Sequence, residues 1–544
     1  MSFELLLDQV KQQKTSFIIV TGGVCSSLGK GILISSIGTL LKHAGVSISV
    51  MKMDPYLNVD PGTMSPLEHG EVFVTHDGAE TDLDLGHYER ILDLHLSKES
   101  SLSSGQIFKE LLEGERKGTF LGACIQLVPH AVNAIKSHAL SLAIKKKSDF
   151  VLIEIGGTVG DIEGQVFLEA MRQLKLDLGS DRVMHAHLSY VPYLAWANEV
   201  KTKPTQHSVI ALRKCGIMPD ALFLRTEKKV DVSVIRKVSK MCGVETEYIF
   251  QAPTYNPIYQ LFLELSDQGL YDRIKRYFGY SFPEKADLSS WKSLISSITK
   301  NKPPLTIGLV GKYIGSNDPY ISVVEAIKSA TWACGRDPHV VTIEAEKITT
   351  SECAELVELD GIVVPGGFDS RGVEGKIKAV QWAREQNIPY LGLCLGMQVM
   401  LIEFARNVLG LDNASSTEFN KETESPVISL LEEQQQVAYK GSSMRLGGYL
   451  CAVKADTVAF QAYGASEIVE RHRHRYEFNN RYKQLFEDAG VIFSGINTEK
   501  NLVEISELTG HRFMVGVQFH PEFLSSPLRP HPLFKAFIRS ITDR

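Results

Sequence analysis

Short, nearly continuous apolar runs recur along this chain, and each gives way to a glycine-rich break and then to a helical pattern. Ser16-Phe-Ile-Ile-Val20, Val46 to Met53, Phe150-Val-Leu-Ile-Glu-Ile155, Val183 to Val191 and Ala221 to Leu224 read as strands. Runs of this kind, without polar alternation, mark strands buried on both faces, as in a parallel sheet covered by helices. The stretch Ile32 to His43 reads as a helix, with Gly45 as its stop. A fresh alternation starts at Leu305-Thr-Ile-Gly-Leu-Val310 and continues through a helix (Ser322 to Ala333), a strand (His339 to Ile343) and Gly361-Ile-Val-Val364. Between the two series, Tyr280 to Pro304 loosens into Ser, Pro and Lys, the signature of a linker.

Polar stretches interrupt the pattern in three places. From Asn58 to His87 the chain is dense in Gly, Pro and acidic residues and lacks a sustained helical period, which suggests functional loops. Lys201-Thr-Lys-Pro-Thr-Gln206 is rich in hydrogen-bond donors and fits a phosphate or nucleotide contact, or else an exposed basic turn. Glu422 to Lys440 is Gln- and Glu-rich and reads as a surface excursion. The N-terminal stretch, with Leu5-Leu6-Leu7 broken by Glu4 and Asp8, reads as a short helix rather than a signal peptide.

Bulk properties narrow the classes. At 544 residues the chain needs two or three cores. A net charge of -6 gives no electrostatic reason to expect nucleic acid or an anionic membrane as partner. No apolar run approaches the length of a membrane span. The eight cysteines are scattered without zinc spacing, a pattern suited to a reduced cytoplasm.

Three constellations carry chemistry. First, Ile388-Pro-Tyr-Leu-Gly-Leu-Cys394-Leu-Gly-Met-Gln398 is a strand ending in Gly-x-Cys-x-Gly before a helix, the thiol form of a nucleophile elbow. Second, Gly516-Val-Gln-Phe-His520-Pro-Glu522 places His520 and Glu522 two residues apart, on one face if the strand continues. A thiol, a base and an orienting carboxylate suit attack on an amide carbonyl, with the amides of Gly366-Gly367 and Leu395 as oxyanion donors. Third, Thr21-Gly-Gly-Val-Cys-Ser-Ser-Leu-Gly-Lys-Gly31 follows a strand and opens a helix, the arrangement that cradles phosphates. It departs from the standard phosphate loop, because its first Gly is one residue early and Gly31 replaces the Mg²⁺-binding Ser or Thr. The acidic cluster around Asp77 to Asp84, and Glu154 in its apolar strand, are candidate Mg²⁺ ligands. A buried carboxylate lacking a partner would be costly, so a metal is expected beside Glu154.

The motifs Pro365-Gly-Gly, Gly392-Leu-Cys-Leu-Gly-Met-Gln398 and Gln518-Phe-His-Pro-Glu522 resemble those of class I (triad) glutamine amidotransferases. Ser26-Ser-Leu-Gly-Lys-Gly31, Lys52-Met-Asp-Pro-Tyr56, Asn58 to Pro66, Asp77 to Arg90, Glu154 to Glu163 and Lys201 to Gln206 extend the resemblance to the CTP synthase family. The likeness covers all but the first fifteen residues and the 422–440 excursion.

This resemblance implies an α/β fold of two doubly wound domains. One is a P-loop-NTPase-like, dethiobiotin-synthetase-like amidoligase domain over 16–280, and the other a flavodoxin-like glutaminase domain over 304–544. Residues 1–15 would be an extension and 281–303 the linker. The implied reaction is ATP-dependent amination of UTP to CTP through a 4-phosphorylated UTP, with ammonia from glutamine. Ser27, Leu28, Gly29, Lys30, Gly31 and Ile32 would contact ATP, with Asp84 and Arg225. Asp84 and Glu154 would hold Mg²⁺. UTP or CTP would meet Ser26, the run Asp161, Ile162 and Glu163, and Lys237. Lys201, Thr202, Lys203, Pro204, Thr205 and Gln206 would join them. Glutamine would be held by Gly367, Leu395, Gly396, Met397 and Gln398, together with Glu418 and Arg475. Pro66, His69 and Val72 would line an ammonia passage, and Arg371 would serve the response to GTP as activator. Asp369 stands where many relatives have Gly. CTP would inhibit, and a cytoplasmic homotetramer is expected. Two other readings remain at this stage: an amidoligase acting on a carboxylic acid, and a nucleotide-binding scaffold with spent sites.

Overall fold

The computed structural model describes residues 2–280, 285–313, 318–349, 354–430 and 444–543. It divides into two compact units that do not follow contiguous sequence. The first is Met1–Asp60 with His87–Ser296, and the second is Pro61–Gly86 with Ser297–Arg544. Residues 61–86, which lie inside the N-terminal half by sequence, therefore pack within the second unit.

The first unit is built on a seven-stranded sheet. Its strands are β1 (Ser16–Gly23), β2 (Ile48–Asp54), β3 (Ser101–Ser103), β4 (Phe150–Ile155), β5 (Val183–Tyr190), β6 (Ala221–Thr226) and β7 (Ile249–Pro253). They run parallel in the order β7-β6-β5-β1-β4-β2-β3. The central strands are buried along their whole length, as their lack of alternation requires. The first residues are no appendage. Ser2 caps the helix Phe3–Gln13, which buries Leu6 and Val10 one turn apart. Gln13 Nε2 then donates to Ala143 O at 3.1 Å. The expected linker contains the helix Ser289–Ile298, whose Trp291 is buried against Tyr259 and Phe262. An aromatic of that size outweighs the polar composition around it.

The second unit has a nine-stranded mixed sheet. Its strands are β8 (Pro304–Gly311), β9 (Asp337–Glu344), β10 (Gly361–Val364), β11 (Tyr390–Leu393), β12 (Arg445–Val453), β13 (Glu467–His474), β14 (Val491–Asn497), β15 (Leu502–Leu508) and β16 (Met514–Val517). The order is β9-β8-β10-β11-β16-β15-β14-β12-β13. From β9 to β16 the pairing is parallel, and beyond β16 it is antiparallel. The excursion read at 422–440 is in part a strand. Ser425–Leu430 pairs with Tyr476–Phe478 and buries Val427 and Ile428, while residues 431–443 lie outside the described residues.

Segment 61–86 joins this unit through β12 and β13. Arg473 Nε meets Glu80 Oε1 at 2.8 Å, Arg471 donates to Val74 O at 3.0 Å, and Gly448 N donates to His76 O at 2.9 Å. Gly447 sits at φ 90, and a Cβ there would lie 2.7 Å from Gly78 N, so only glycine permits the approach. The segment is also less irregular than expected, since it contains the short helix Pro66–His69 and opens the helix Leu83–Leu92.

Candidate functional site

In the second unit, β11 delivers Cys394 and the helix Leu395–Asn407 carries the chain away. Cys394 takes φ 52 and ψ -102, a strained conformation for a residue with a Cβ. Such strain costs about 1–3 kcal/mol and persists only where the surroundings impose it. Here they do. Cys394 N donates to Val517 O at 2.7 Å, and Tyr390 OH donates to Gly396 O at 2.8 Å. A Cβ at Gly392 would meet Gly396 C at 2.6 Å, and one at Gly396 would meet Val364 O at 2.1 Å. Both flanking positions must therefore be glycine.

His520 and Glu522 come together, but not by strand alternation. β16 ends at Val517, and Pro521 starts a short 3₁₀ turn, Pro521–Leu524, because proline removes the donor a continuing ladder needs. That turn brings Glu522 Oε1 to 2.7 Å from His520 Nδ1. Burial lowers the imidazole pKa, but Glu522 and Cys394 overcome it and raise it to about 10. No described group within hydrogen-bond range satisfies the buried Nε2, which leaves it to Cys394. Gly366 rests against both groups, since a Cβ there would lie 2.8 Å from His520 Cε1 and 3.6 Å from Cys394 Cβ.

A cavity of about 610 Å³ opens on this cluster, and its lining includes Gly366, Gly367, Cys394 and His520 together with Pro66 and Val72. His69 is not among its lining residues; its Nδ1 faces Asp82 Oδ2 at 3.3 Å. Met397 and Gln398 lie beneath the site rather than in the cavity. Gln398 Nε2 donates to Tyr476 O at 3.0 Å and Gln518 Oε1 at 3.2 Å, and Gln518 Nε2 in turn reaches Cys394 Sγ at 3.7 Å. Burial raises the Glu418 pKa, with Lys312 and Arg475 opposing.

Asp369 has φ 66, which explains why glycine suits the position, and it compensates by accepting from Arg371 N at 2.8 Å and pairing with Lys312 Nζ at 3.0 Å. Arg371 stacks over the Tyr313 ring at 5.5 Å. Sequence reasoning missed Gln518, Lys312 and the two arginines that hold segment 61–86. Gln518 stood inside the motif Gln518-Phe-His-Pro-Glu522, whereas Lys312 gave no signal beyond following a strand.

In the first unit, Gly29 at φ 93 precedes the helix Lys30–His43, and Ser27 also takes a positive φ of 58. Lys30 Nζ donates to Gly157 O at 2.8 Å, so the phosphate-loop lysine bridges to the loop after β4. Beside it an apolar cavity of about 450 Å³ is lined by Leu28, Gly29, Ile32, Tyr255 and Leu261, with Arg225 its one charged side chain. Arg225 donates to Ala252 O at 3.3 Å, and burial lowers its pKa.

Glu154 is not the partnerless carboxylate its apolar strand suggested. Its Oε1 lies 3.4 Å from Lys52 Nζ, and its Oε2 accepts from Tyr88 OH. Asp84 N donates to Asp82 Oδ1 in the first turn of Leu83–Leu92. Among the described residues no three His, Cys, Asp or Glu side chains cluster as a closed metal cage.

The Lys201 to Gln206 stretch is not an exposed turn either. It opens the helix Lys203–Lys214, with Thr202, Thr205 and Gln206 buried. Thr205 Oγ1 donates to Tyr190 O at 3.0 Å, and Lys201 pairs with Glu199. Thr202 and Lys237 line a cavity of about 1210 Å³. Asp161 Oδ2 accepts from Thr158 N at 2.8 Å, and Ile162 beside it is 80% exposed.

Two family models match the chain: CTP synthase N-terminus over residues 16–280 and glutamine amidotransferase class-I over residues 317–540. A CTP synthase of Dehalococcoides mccartyi is 52% identical over 528 residues, covering 97% of each chain. The CTP synthase of Bacillus subtilis is 50% identical over 525 residues, covering 96% of this chain and 98% of that protein. Among solved structures, a Trypanosoma brucei CTPS glutaminase domain with bound acivicin matches 44% of this chain and 94% of its own. The two share 36% identity, with a TM-score of 0.42.

Proposed function

The chain belongs to the CTP synthase family, and we propose that its two units divide the glutamine-dependent, ATP-driven conversion of UTP to CTP between them. The observation that carries this reading is the cavity whose lining Cys394 and His520 share with Pro66 and Val72, so that a segment of the synthase sequence walls the glutaminase site.

At that site Cys394 Sγ attacks the amide carbonyl of glutamine, and Glu418 and Arg475 hold the amino acid. The developing oxyanion meets the amides of Gly366-Gly367 and Leu395. His520, kept protonated up to about pH 10, returns a proton to the leaving nitrogen, and Glu522 fixes its orientation. Water then cleaves the thioester to release glutamate. Ammonia leaves along the cavity past Pro66 and Val72, sheltered from protonation in bulk water, with His69, paired to Asp82, on the same segment.

The other half activates the acceptor. Adenine fits the apolar cavity between Leu28, Ile32 and Arg225, and Lys30 shifts from Gly157 O to the transferring phosphate. Ser26 and Ser27 to Gly31 wrap the phosphates. Mg²⁺ would be held by Asp84 and Glu154 and would neutralise phosphate charge. Phosphorylation of O4 of UTP gives a leaving group; ammonia displaces phosphate at C4, yielding CTP, ADP, phosphate and glutamate. The helix that starts at Lys203, with Lys201, Thr202 to Gln206 and Lys237, receives the pyrimidine nucleotide. Asp161, Ile162 and Glu163 complete that site, and the 80% exposure of Ile162 suits cover from another copy in a homotetramer. GTP activates through Arg371, and CTP inhibits at the pyrimidine site. No described helix is long and apolar enough to cross a membrane, and a cytoplasmic setting fits the free cysteines.

An absorbance assay of UTP conversion to CTP, run with glutamine or ammonia and with or without GTP, tests the reading. CTP formed from both nitrogen sources supports it. Amination of a carboxylic acid with no CTP would replace it with the amidoligase reading.

A further inference from the structure

Two lysines sit beneath the loop that supplies the oxyanion donors, and neither belongs to the catalytic triad. Lys376, on the helix Val373–Glu385, is fully buried at 0% exposure, and Lys312, just past β8, is 2% exposed. A buried ammonium is costly to keep, so its retention calls for a reason. Lys376 Nζ donates to Pro365 O at 3.3 Å. Lys312 Nζ donates to Phe368 O and pairs with Asp369, whose own N–H donates to Glu418 at 2.9 Å. The two ammoniums therefore grip the carbonyls at either end of Pro365-Gly366-Gly367-Phe368.

A peptide unit is planar, so a fixed Pro365 carbonyl also fixes the N–H of Gly366 on the opposite side. The cluster is tight. A Cβ on Gly367 would lie 3.5 Å from Lys312 Cε and 3.7 Å from Lys376 Nζ, while one on Gly366 would abut His520 and Cys394. The diglycine turn is thus held between the nucleophile and base on one side and the lysines on the other.

We infer that Lys376 is a positioning residue for glutamine hydrolysis, holding the oxyanion loop by its Pro365 carbonyl and placing positive charge behind the developing oxyanion. Catalysis by aimed donors needs them fixed before charge develops, which a diglycine turn does not provide by itself. Burial and the neighbouring Lys312 lower the Lys376 pKa to about 7, so holding the amine charged works against the stability of the fold. Its removal therefore relieves the folded state while harming the reaction.

The proposal rests on the assignment of Cys394, His520 and Glu522 to amide hydrolysis, which the parent enzyme's glutaminase activity tests separately. The test compares Lys376→Met, which fills the space without a charge, with Lys376→Gln, which retains a donor. Four quantities are measured: kcat and KM for glutamine hydrolysis, affinity for the γ-aldehyde of glutamate, and melting temperature. The aldehyde forms a tetrahedral adduct with a thiol and so reads the oxyanion site directly.

Lys376→Met is expected to lower kcat roughly 10- to 100-fold, with KM changed less than about 3-fold. Aldehyde affinity should fall by the same factor, and the melting temperature should stay level or rise. Lys376→Gln should fall between Met and the parent. Should the Met variant not fold, which counts against the proposed stability cost, the Gln variant alone still links kcat to aldehyde affinity. Parent-like kcat in both variants, or a loss of kcat with aldehyde affinity unchanged, overturns the proposal. A parent lacking glutaminase activity would overturn the underlying assignment instead.

Discussion

The two units solve opposite problems with related sheets. In the second, everything the thiol needs is already in place: Cys394 is strained into position, His520 and Glu522 stand 2.7 Å apart, and all three are buried. In the first, the groups that would meet nucleotides are engaged with one another. Lys30 rests on Gly157 O, Glu154 on Lys52 and Tyr88, and Lys201 on Glu199. A small amide is cleaved best by a site that needs no rearrangement, since every preset dipole saves reorganisation in the transition state. Large polyanions bring their own charge and repay local partners that must let go. Pre-assembly thus goes with covalent catalysis here, and exchangeable pairing with phosphoryl transfer.

The sharpest way to break this contrast is Lys30→Ala. It should reduce CTP formation about 10³-fold or more with glutamine and ammonia alike, as loss of the charge on a transferring phosphoryl group demands. A defect seen only with glutamine would move Lys30 out of the synthase chemistry.

Next in size is Glu522→Gln, with glutaminase kcat/KM expected to fall roughly 10²- to 10⁴-fold. The pH profile sharpens the point. Glu522 raises the His520 pKa towards about 10, so the proton on the imidazole is lost only as pH climbs through that region. Without the carboxylate, the alkaline limb of the residual activity should move towards neutral pH. An unmoved limb would show that Glu522 does not control the proton. The same raised pKa stabilises the folded state below the unfolded value near 6.5, and that contribution is lost as pH rises through about 10.

Much of this was legible in the chain. Uninterrupted apolar runs fixed the strands, and Gly-x-Cys-x-Gly with its two flanking glycines announced the elbow. What escaped was long-range. Arg471, Arg473 and Gly447 capture segment 61–86 from some 400 positions away, and no local period encodes that contact. The strand Ser425–Leu430 was masked by polar neighbours, because only Val427 and Ile428 face the core. Tyr88 and Lys52 came to Glu154 from other elements, so the carboxylate looked partnerless along the chain. His520 and Glu522 were paired correctly for a mistaken reason, since a proline-started turn, not a strand, brings them together.

The smallest expected effect concerns Asp369→Gly. Glycine relieves the positive φ, worth about 1–2 kcal/mol, but takes away the carboxylate paired with buried Lys312. These terms oppose, so the melting temperature should change little. The concentration of GTP needed for half-maximal activation should change, because Arg371 loses the acceptor of its amide. An unchanged GTP response would detach this loop from regulation.

On this division of labour, nitrogen released at Cys394 becomes the amine of CTP made in the other half of the chain. Supplying glutamine labelled with ¹⁵N at its amide, in unlabelled ammonium buffer, and weighing the CTP product tests it directly. Labelled CTP is expected from the parent enzyme, and only unlabelled, ammonia-derived CTP from Cys394→Ala. Unlabelled CTP from the parent, or labelled CTP from the Cys394→Ala variant, would contradict it.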